Sequence, residues 1–328
     1  MRKNILQIFT ALLILVNVSI VSAAEVWQLP ESGVKLYGTA KQNYIAEKMN
    51  ALFHPAPGKT VTKPNFEIPD GWNFEKFDLD GLPVECLTNP NGDKSRVVFQ
   101  IHGGGYVMPL DNGHRNFGMK LGILANAAQT YFIDYRIAPQ NPFPAAIEDA
   151  LKAYQFILSR NVPAENIIVF GDSAGGNLAL ELSLYLKEKN LPQPKTLILI
   201  SPWTTMESKM PSRKYNAEKD LVLGKNASTL YKDVQSPVYA KGFNKKDPRL
   251  SPIYADLKNL PPMLIQAGGY ELFLDECLEL AKKATADKLN VTLTVYPEMP
   301  HDFALMLPDL QDSLDSFAEI RDFINRQN

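Results

Sequence analysis

A serine flanked by glycines is the clearest chemical feature of the sequence. The pattern Gly-x-Ser-x-Gly occupies residues 171–175, with Ser173 at its centre. It follows an apolar run at 167–170 directly and precedes a helical pattern at 177–189. A tight turn between a strand and a helix holds such a serine in a strained conformation and exposes its hydroxyl above the sheet. We therefore expect Ser173 to be a nucleophile, with the positive end of a helix that begins near residue 176 pointing at it.

A second feature is a glycine triplet that follows a different apolar run. The triplet occupies residues 103–105, directly after the run at 97–101. Glycine lets the backbone approach a ligand closely, and successive N–H groups can stabilise a developing oxyanion. We expect Gly104 and Gly105 to supply two such donors and Ala174, the residue after the serine, to supply a third. The two features together predict acyl transfer.

A serine hydroxyl needs a general base, which is normally histidine. In an open α/β sheet with this serine turn, the base follows the nucleophile in the chain. The chain has four histidines, His54, His102, His114 and His301. Only His301 follows Ser173 in the chain. His301 also comes just after an apolar run, on the same predicted sheet edge as Ser173. We expect His301 to be the base and His102 to brace the glycine loop.

The acid that orients the histidine has two candidates in the loop after the run at 263–267, Glu271 and Asp275. Asp275 falls where the next helix begins, so helix capping or the helix dipole already accounts for it. Glu271 is nearer the strand end and has no such local role, so we expect it to orient the imidazole, with Asp275 as the alternative. The histidines lack metal-ligand spacing and no Cys-x-x-Cys pair occurs, so we expect neither a metal nor a cofactor.

Strands and helices alternate along most of the chain, and this alternation must position those residues. Short apolar runs typical of buried parallel strands occur at 97–101, 130–133, 167–170, 196–200, 263–267 and 291–296. Helical patterns occur at 114–128, 145–159, 177–189, 275–289 and 309–328. The order predicts an open, doubly wound α/β sheet. Ligands bind at the carboxyl edge of such sheets.

An edge hairpin is predicted before the first parallel strand. Residues 73–79 and 83–87 alternate between apolar and polar types, with Asp80 and Gly81 between them. Asp-Gly is a frequent two-residue hairpin turn. The hairpin brings the predicted sheet to eight strands.

Two segments do not fit the alternation and divide the chain. Residues 25–72 hold an amphipathic helix at 41–53 and a proline-rich linker, whereas residues 202–248 form a connection much longer than usual. We expect both to cover the carboxyl edge of the sheet, the second as a cap inserted into a catalytic domain at 73–328.

Composition excludes several classes of protein. The chain has 328 residues, 45% of them hydrophobic, and a formal net charge of -2 without a long run of one sign. This is too apolar for a disordered chain and too weakly charged for a nucleic-acid partner to be expected. The two cysteines, Cys86 and Cys277, are expected to be separate buried thiols.

The first 24 residues follow the pattern of a secretory signal peptide. Arg2 and Lys3 precede an apolar stretch at 5–18, and small residues follow it. The stretch is shorter than the ~20 residues that span a bilayer, so no stable membrane anchor is expected. We expect cleavage after Ala23 or Ala24 and export to the periplasm or the medium.

The motifs together resemble a known family. They read His-Gly-Gly-Gly at 102–105, Asp-Tyr-Arg-Ile-Ala-Pro at 134–139, Gly-Asp-Ser-Ala-Gly-Gly at 171–176 and Met-Pro-His at 299–301. The sequence is similar to the hormone-sensitive-lipase-like family of α/β-hydrolases, in its bacterial esterase branch, from about residue 97 to the end. The resemblance implies an eight-stranded, mostly parallel sheet with helices on both faces and a helical cap.

The acid segment departs from the family pattern. The family carries Asp-Pro-Leu-x-Asp, whereas this chain has Glu-Leu-Phe-Leu-Asp at 271–275. Glu271 thus replaces the first aspartate, as it does in some members of the family. The family often has Glu-His where this chain has Gln140 and Asn141, which argues against a general base there.

The resemblance implies a serine carboxylesterase that hydrolyses small esters of short to medium acyl chains through an acyl-enzyme. Two alternatives stay open. One is a deacetylase of acetylated sugars or arylamides that uses the same site, and the other is a non-catalytic ligand receptor on a hydrolase scaffold. The presence of His301 favours an enzyme.

Overall fold

The computed structural model describes residues 25–59, 61, 64–227 and 230–327. Eight strands of this part of the chain form one sheet. They are β1 (Asn73–Leu79), β2 (Leu82–Thr88), β3 (Asp93–Ile101), β4 (Ala127–Ile133), β5 (Ile167–Asp172), β6 (Thr196–Ile200), β7 (Met263–Gly268) and β8 (Val291–Tyr296).

The sheet is mostly parallel, in the order β1-β2-β4-β3-β5-β6-β7-β8. Strands β3 to β8 pair in parallel, whereas β2 runs antiparallel to both β1 and β4. Every residue of the central strands β5, β6 and β7 is buried, which explains why their sequences read as continuous apolar runs. The predicted doubly wound sheet of eight strands is confirmed.

Helices cover both faces of the sheet. Within the described residues they are α1 (Gly38–Phe53), α2 (Asn112–Leu124), α3 (Ala145–Ser159), α4 (Ser173–Glu188), α5 (Ser212–Tyr215), α6 (Leu230–Gln235), α7 (Leu274–Ala286), α8 (Phe303–Met306) and α9 (Gln311–Arg326). The chain moves one way across the sheet through α2 and the other way through α3, α4 and α7. Right-handed crossovers therefore place α2 on the face opposite to the other three, and α9 packs beside α2.

The edge hairpin turns where the sequence predicts. Asp80 and Gly81 both have positive φ, 48° and 86°, as a two-residue type I′ turn requires. Leu79 pairs with Leu82 across the turn, and the pairing continues to Asn73 and Thr88.

Several predicted helix boundaries differ from those in the structure, and two of them have a clear physical reason. The helix predicted at 114–128 ends at Leu124, because Asn126 takes a left-handed conformation (φ 50°) and residues 127 and 128 open β4. The helix expected to begin near residue 176 begins at Ser173 itself. Packing against the sheet imposes a helical first turn on two glycines that have poor intrinsic propensity for it.

The two segments outside the alternation lie next to the loops that leave the sheet. Helix α1 approaches the loop after β8, where the Lys41 ammonium donates to the Pro297 carbonyl at 2.9 Å and to the Asp312 carboxylate at 2.7 Å. The connection between β6 and β7 spans 201–262, and the predicted cap at 202–248 lies within it. Their role as a cap stays a prediction. The predicted signal peptide at 1–24 lies outside the described residues.

Both cysteines are free and buried, Cys86 in β2 and Cys277 in α7, as the sequence predicts. Across the residues that the structure describes, no helix has the length and apolar character needed to traverse a bilayer.

Candidate active site

Ser173 sits at a sharp turn between β5 and α4, and its φ of 52° lies in the left-handed region. The turn is possible because the chain passes very close to β3 at this point. A Cβ atom at Gly175 would collide with the Ile101 carbonyl oxygen, so glycine is required there. The Trp203 amide donates to the Ser173 carbonyl at 3.0 Å and ties the start of the 201–262 connection to the turn.

His301 lies in the loop after β8 and meets the serine. Its Nε2 atom is 2.8 Å from the Ser173 Oγ atom, although the two residues are 128 positions apart. The Phe273 ring packs edge-on against the imidazole, with centroids 4.9 Å apart. Both side chains are buried, at 2% exposure for His301 and 5% for Ser173. The structure thus brings together the two residues that the sequence singles out as nucleophile and base.

Glu271, rather than Asp275, lies beside the imidazole. Glu271 Oε2 is 3.6 Å from His301 Nδ1, just beyond hydrogen-bonding distance, and it accepts a hydrogen bond from the Ser201 hydroxyl at 2.5 Å. Contacts of this kind often tighten only when a substrate is bound. The Asp275 carboxylate instead accepts from the Ser212 amide at 2.7 Å and the Tyr215 hydroxyl at 2.8 Å.

Asp275 also does not cap α7. The N-cap of that helix is Phe273, and Asp275 lies within the first turn, where the helix dipole favours a carboxylate. Of the two local roles expected for Asp275, interaction with the helix dipole agrees with this position and capping does not. Its role as the alternative acid stays a prediction, and its carboxylate contacts Ser212 and Tyr215. Its contacts tie α7 to α5.

A second carboxylate contacts His301 on the side of the serine. Asp302 Oδ2 is 3.0 Å from His301 Nε2, and Asp302 itself is buried, with a left-handed backbone (φ 48°). The Asp302 amide donates to the Ser201 hydroxyl at 3.1 Å, so Ser201 links this residue to Glu271. Asp220 joins the loops after β7 and β8 by accepting from the amides of Leu272 and His301 at 2.8 and 3.4 Å.

Sequence reasoning missed these three supporting residues. Two of them carried a signal in the sequence that could have identified them. Ser201 directly follows β6, at a strand end, and Asp302 directly follows His301. Asp220 lies in the middle of the long β6–β7 connection, where the sequence carries no such signal.

The cluster of carboxylates controls the protonation of the histidine. Burial alone would lower the pKa of His301, but Asp302 and Glu271 outweigh it and raise that pKa well above its usual value. Burial also raises the pKa of Glu271, although the neighbouring His301 opposes the shift. For Asp172, burial together with the nearby Asp302 carboxylate raises the pKa to about 7. These carboxylates therefore stabilise the positively charged imidazole relative to that of an ordinary histidine.

The glycine loop presents main-chain donors next to the serine. Gly104 and Gly105 have positive φ, 101° and 63°. The Gly103 amide is held by the Asp172 carboxylate at 2.9 Å, whereas no acceptor among the described residues takes the amides of Gly104 or Gly105. Ala174 is the second residue of α4, and an amide at that position has no acceptor within its own helix. These amides suit an oxyanion.

His102 braces the glycine loop, as the sequence predicts. Its Nδ1 atom lies 2.7 Å from the Gly103 carbonyl oxygen, and its ring stacks on Tyr135 with centroids 4.2 Å apart. The Tyr135 hydroxyl donates to the His102 carbonyl at 2.8 Å. Burial lowers the pKa of His102 to about 3, so it stays neutral at physiological pH.

Comparisons with known proteins agree with this arrangement. A sequence model of the alpha/beta hydrolase fold matches residues 98–305. An esterase of Acinetobacter venetianus is 32% identical over 235 residues, covering 70% of this chain and 74% of that protein. An acetyl-hydrolase of Streptomyces hygroscopicus is 32% identical over 212 residues, 65% of this chain and 69% of that protein.

Solved structures give the same result over more of the chain. An esterase from the bacterial hormone-sensitive lipase family superposes with a TM-score of 0.77 at 29% identity, covering 89% of this chain and 99% of that one. The esterase EstE5, soaked with p-nitrophenyl butyrate, also gives a TM-score of 0.77, at 30% identity over 89% of this chain and 99% of its own. The chain therefore belongs to the α/β-hydrolase family, in its bacterial hormone-sensitive-lipase-like branch.

Proposed function

We propose that this enzyme is a serine carboxylesterase that hydrolyses esters of short to medium acyl chains. The observation that carries the proposal is the 2.8 Å contact between Ser173 Oγ and His301 Nε2 beside main-chain amides that lack acceptors within the described residues. Esterase and acetyl-hydrolase are the names of its relatives.

In the acylation half-reaction, Ser173 Oγ bonds to the ester carbonyl carbon while His301 Nε2 takes the hydroxyl proton. The amides of Gly104, Gly105 and Ala174 donate to the oxygen that becomes negative. Glu271 holds the imidazole through Nδ1 and stabilises the imidazolium. When the intermediate collapses, the carbon–oxygen bond to the alcohol breaks and His301 returns the proton to the leaving oxygen.

In the deacylation half-reaction, a water molecule replaces the alcohol. His301 takes a proton from the water as its oxygen attacks the acyl carbon, and the same amides hold the second oxyanion. The bond to Ser173 Oγ then breaks, and the proton passes from His301 to the serine. The acid leaves and the enzyme is regenerated.

A panel of p-nitrophenyl esters, from acetate to laurate, tests the proposal with purified protein. We expect release of p-nitrophenol to be fastest for acetate, butyrate or hexanoate and to fall for long chains. Ser173→Ala should abolish this release. Ser183→Ala is the matched control, because Ser183 is a buried serine further along α4, and it should retain the activity. Activity that survives Ser173→Ala would refute the serine mechanism.

The same experiment separates the alternative functions. Acetylated sugars and arylamides are added to the panel, since the Streptomyces relative is named an acetyl-hydrolase. If acetylated sugars or arylamides are turned over faster than any simple ester, the result would favour a deacetylase over a carboxylesterase. A correctly folded protein without turnover on any member of the panel would favour the receptor.

We also propose that the enzyme is exported after removal of residues 1–24. The basic start, the short apolar stretch and the small residues after it support this proposal. N-terminal sequencing of protein recovered from the periplasm or medium should begin at Ala24 or Glu25. Recovery of the uncleaved chain in the cytosol would contradict it.

A further inference from the structure

A cavity of about 690 Å³ lies on the flank of the sheet, away from Ser173. It is lined by Ile147 and Leu151 of α3, by Leu184 of α4, and by Phe143 and Phe243, whose rings lie 5.1 Å apart. This volume falls within the usual range for small-molecule binding sites, which are lined mostly by apolar side chains. Residues 147 and 151 are about one turn apart on α3, so both lie on the same face of that helix, and this face forms part of the wall.

Glu181 is the polar group inside this wall. It lies three residues before Leu184, on the same face of α4, and lines the cavity. Its side chain is 2% exposed, and neither carboxyl oxygen has a hydrogen-bond partner among the described residues. Buried carboxyl groups are normally hydrogen-bonded, so an unpartnered one on a cavity wall requires an explanation.

The cavity is separate from the reaction site. Glu181 comes eight residues after Ser173, which is about 12 Å along the helix axis. The lining residues come from α3, α4 and the later part of the 201–262 connection, and they exclude the serine, the histidine and the glycine loop.

The surroundings of Glu181 indicate a neutral ligand. Burial raises the pKa of Glu181 well above its usual value, and Asp247 adds to the shift, so this environment favours the neutral, protonated carboxyl. A protonated carboxyl offers one O–H donor and acceptor oxygens.

The charged side chains at the rim are already engaged in ion pairs. The pairs are Asp256–Lys187 at 3.1 Å, Glu188–Lys189 at 3.1 Å, Glu148–Arg136 at 3.0 Å and Asp247–Arg249 at 2.7 Å. An ionic ligand would have to displace one of them.

We propose that this cavity is a second binding site for a neutral, medium-chain primary alcohol whose hydroxyl hydrogen-bonds to Glu181 and whose chain lies between α3 and α4. A hydroxyl has one O–H donor and two acceptor lone pairs, so it can donate to one oxygen of the protonated carboxyl and accept from its O–H. The apolar wall contributes by removing the chain from water. This site does not depend on the proposed ester hydrolysis.

Calorimetric titration of the full-length protein with 1-octanol tests the site, with n-octylammonium and octanoate as charged probes of the same length. We expect one octanol per chain and weaker binding of both ions. Glu181→Leu should weaken octanol binding about five- to ten-fold, as loss of one neutral hydrogen bond does, whereas Glu181→Gln, which keeps a donor and an acceptor, should stay within about two-fold.

Leu151→Trp fills the cavity and should abolish binding. Leu52→Trp is its matched control, because Leu52 is an exposed leucine on α1 that does not line the cavity. If Leu151→Trp fails to fold, Phe243→Ser is used instead; it removes an apolar side chain from the lining and should weaken octanol binding, so unchanged binding by this variant would also overturn the proposal. Octanol binding that survives the filled cavity, tighter binding of either ion, or equal binding by Glu181→Leu would each overturn the proposal.

Discussion

Asp302 and Ser173 approach the same nitrogen atom of His301. Asp302 Oδ2 is 3.0 Å from Nε2, and Ser173 Oγ is 2.8 Å from it. A protonated Nε2 donates to the carboxylate and is unable to take the serine proton. Deprotonation of His301 is therefore a condition for the proposed reaction.

Asp302→Asn should move the acidic limb of the pH profile of kcat/KM to lower pH by about one unit or more. Four carboxyl groups influence His301, namely Asp302, Glu271, Asp220 and Asp172. Against burial, Asp302 is the largest influence that raises the pKa of His301. Removing its charge lowers that pKa, so the neutral base persists to lower pH.

The pH dependence is measured with p-nitrophenyl butyrate between pH 4 and 9. Asp80→Asn, the same change of charge at the exposed hairpin turn, is the control and should leave the profile unchanged. An unmoved acidic limb in the folded Asp302→Asn variant would show that Asp302 does not set the protonation of His301.

Glu271→Gln should reduce kcat by about 10⁴-fold, as the corresponding change does in a serine protease. The amide keeps the size of the side chain but loses the charge that stabilises the imidazolium. Asp275→Asn is the control, because its carboxylate contacts Ser212 and Tyr215 instead of the histidine. A large loss of kcat in Asp275→Asn instead of Glu271→Gln would show that our assignment of the acid is wrong.

Gly104→Ala should lower kcat by about 10²–10³, the loss associated with one oxyanion donor. Its φ of 101° is strained for any L side chain, and a Cβ there would lie 2.7 Å from the Cβ of Met108. The loop must shift, and the amide shifts with it. Gly242→Ala has a similar φ of 86° in open space and should cost some stability while kcat stays at the wild-type level. Equal kcat values for the two variants would exclude the donor role.

Arg213→Met should destabilise the protein by about 3–5 kcal/mol, as measured by urea unfolding. The Arg213 guanidinium donates to Glu276 at 2.7 Å, and both side chains are buried. Glu276 also accepts from the amides of Thr204 and Thr205, so the pair joins the 201–262 connection to α7. The variant leaves a buried carboxyl group without its cation.

The double variant Arg213→Met/Glu276→Met serves as the comparison. It removes both charges and should recover part of the lost stability, since replacing a buried ion pair by apolar side chains is often nearly neutral. A double variant less stable than Arg213→Met would point to Glu276 acting through the threonine amides alone.

Much of the scaffold was predictable because strands in a parallel sheet are buried on both faces. Their apolar runs located β3 to β8, and the Asp-Gly turn located the hairpin. Helix ends were less predictable, as at Asn126, where one left-handed residue ends α2. The packing of α3 places the Asp149 carboxylate 3.0 Å from the Arg136 Nε atom, and no local pattern in the sequence identifies that pairing.

The sequence by itself determined Ser173, His301 and the glycine loop, because each depends on a short stretch of chain that leaves a strand at one edge of the sheet. Only the tertiary structure decided which carboxylates lie beside the imidazole and which residues support them. Glu271 reaches the imidazole because Ser201 and Asp220 hold its loop, while Asp275 is drawn to α5. Such distances arise from the packing of segments far apart in the chain, and local patterns carry no information about them.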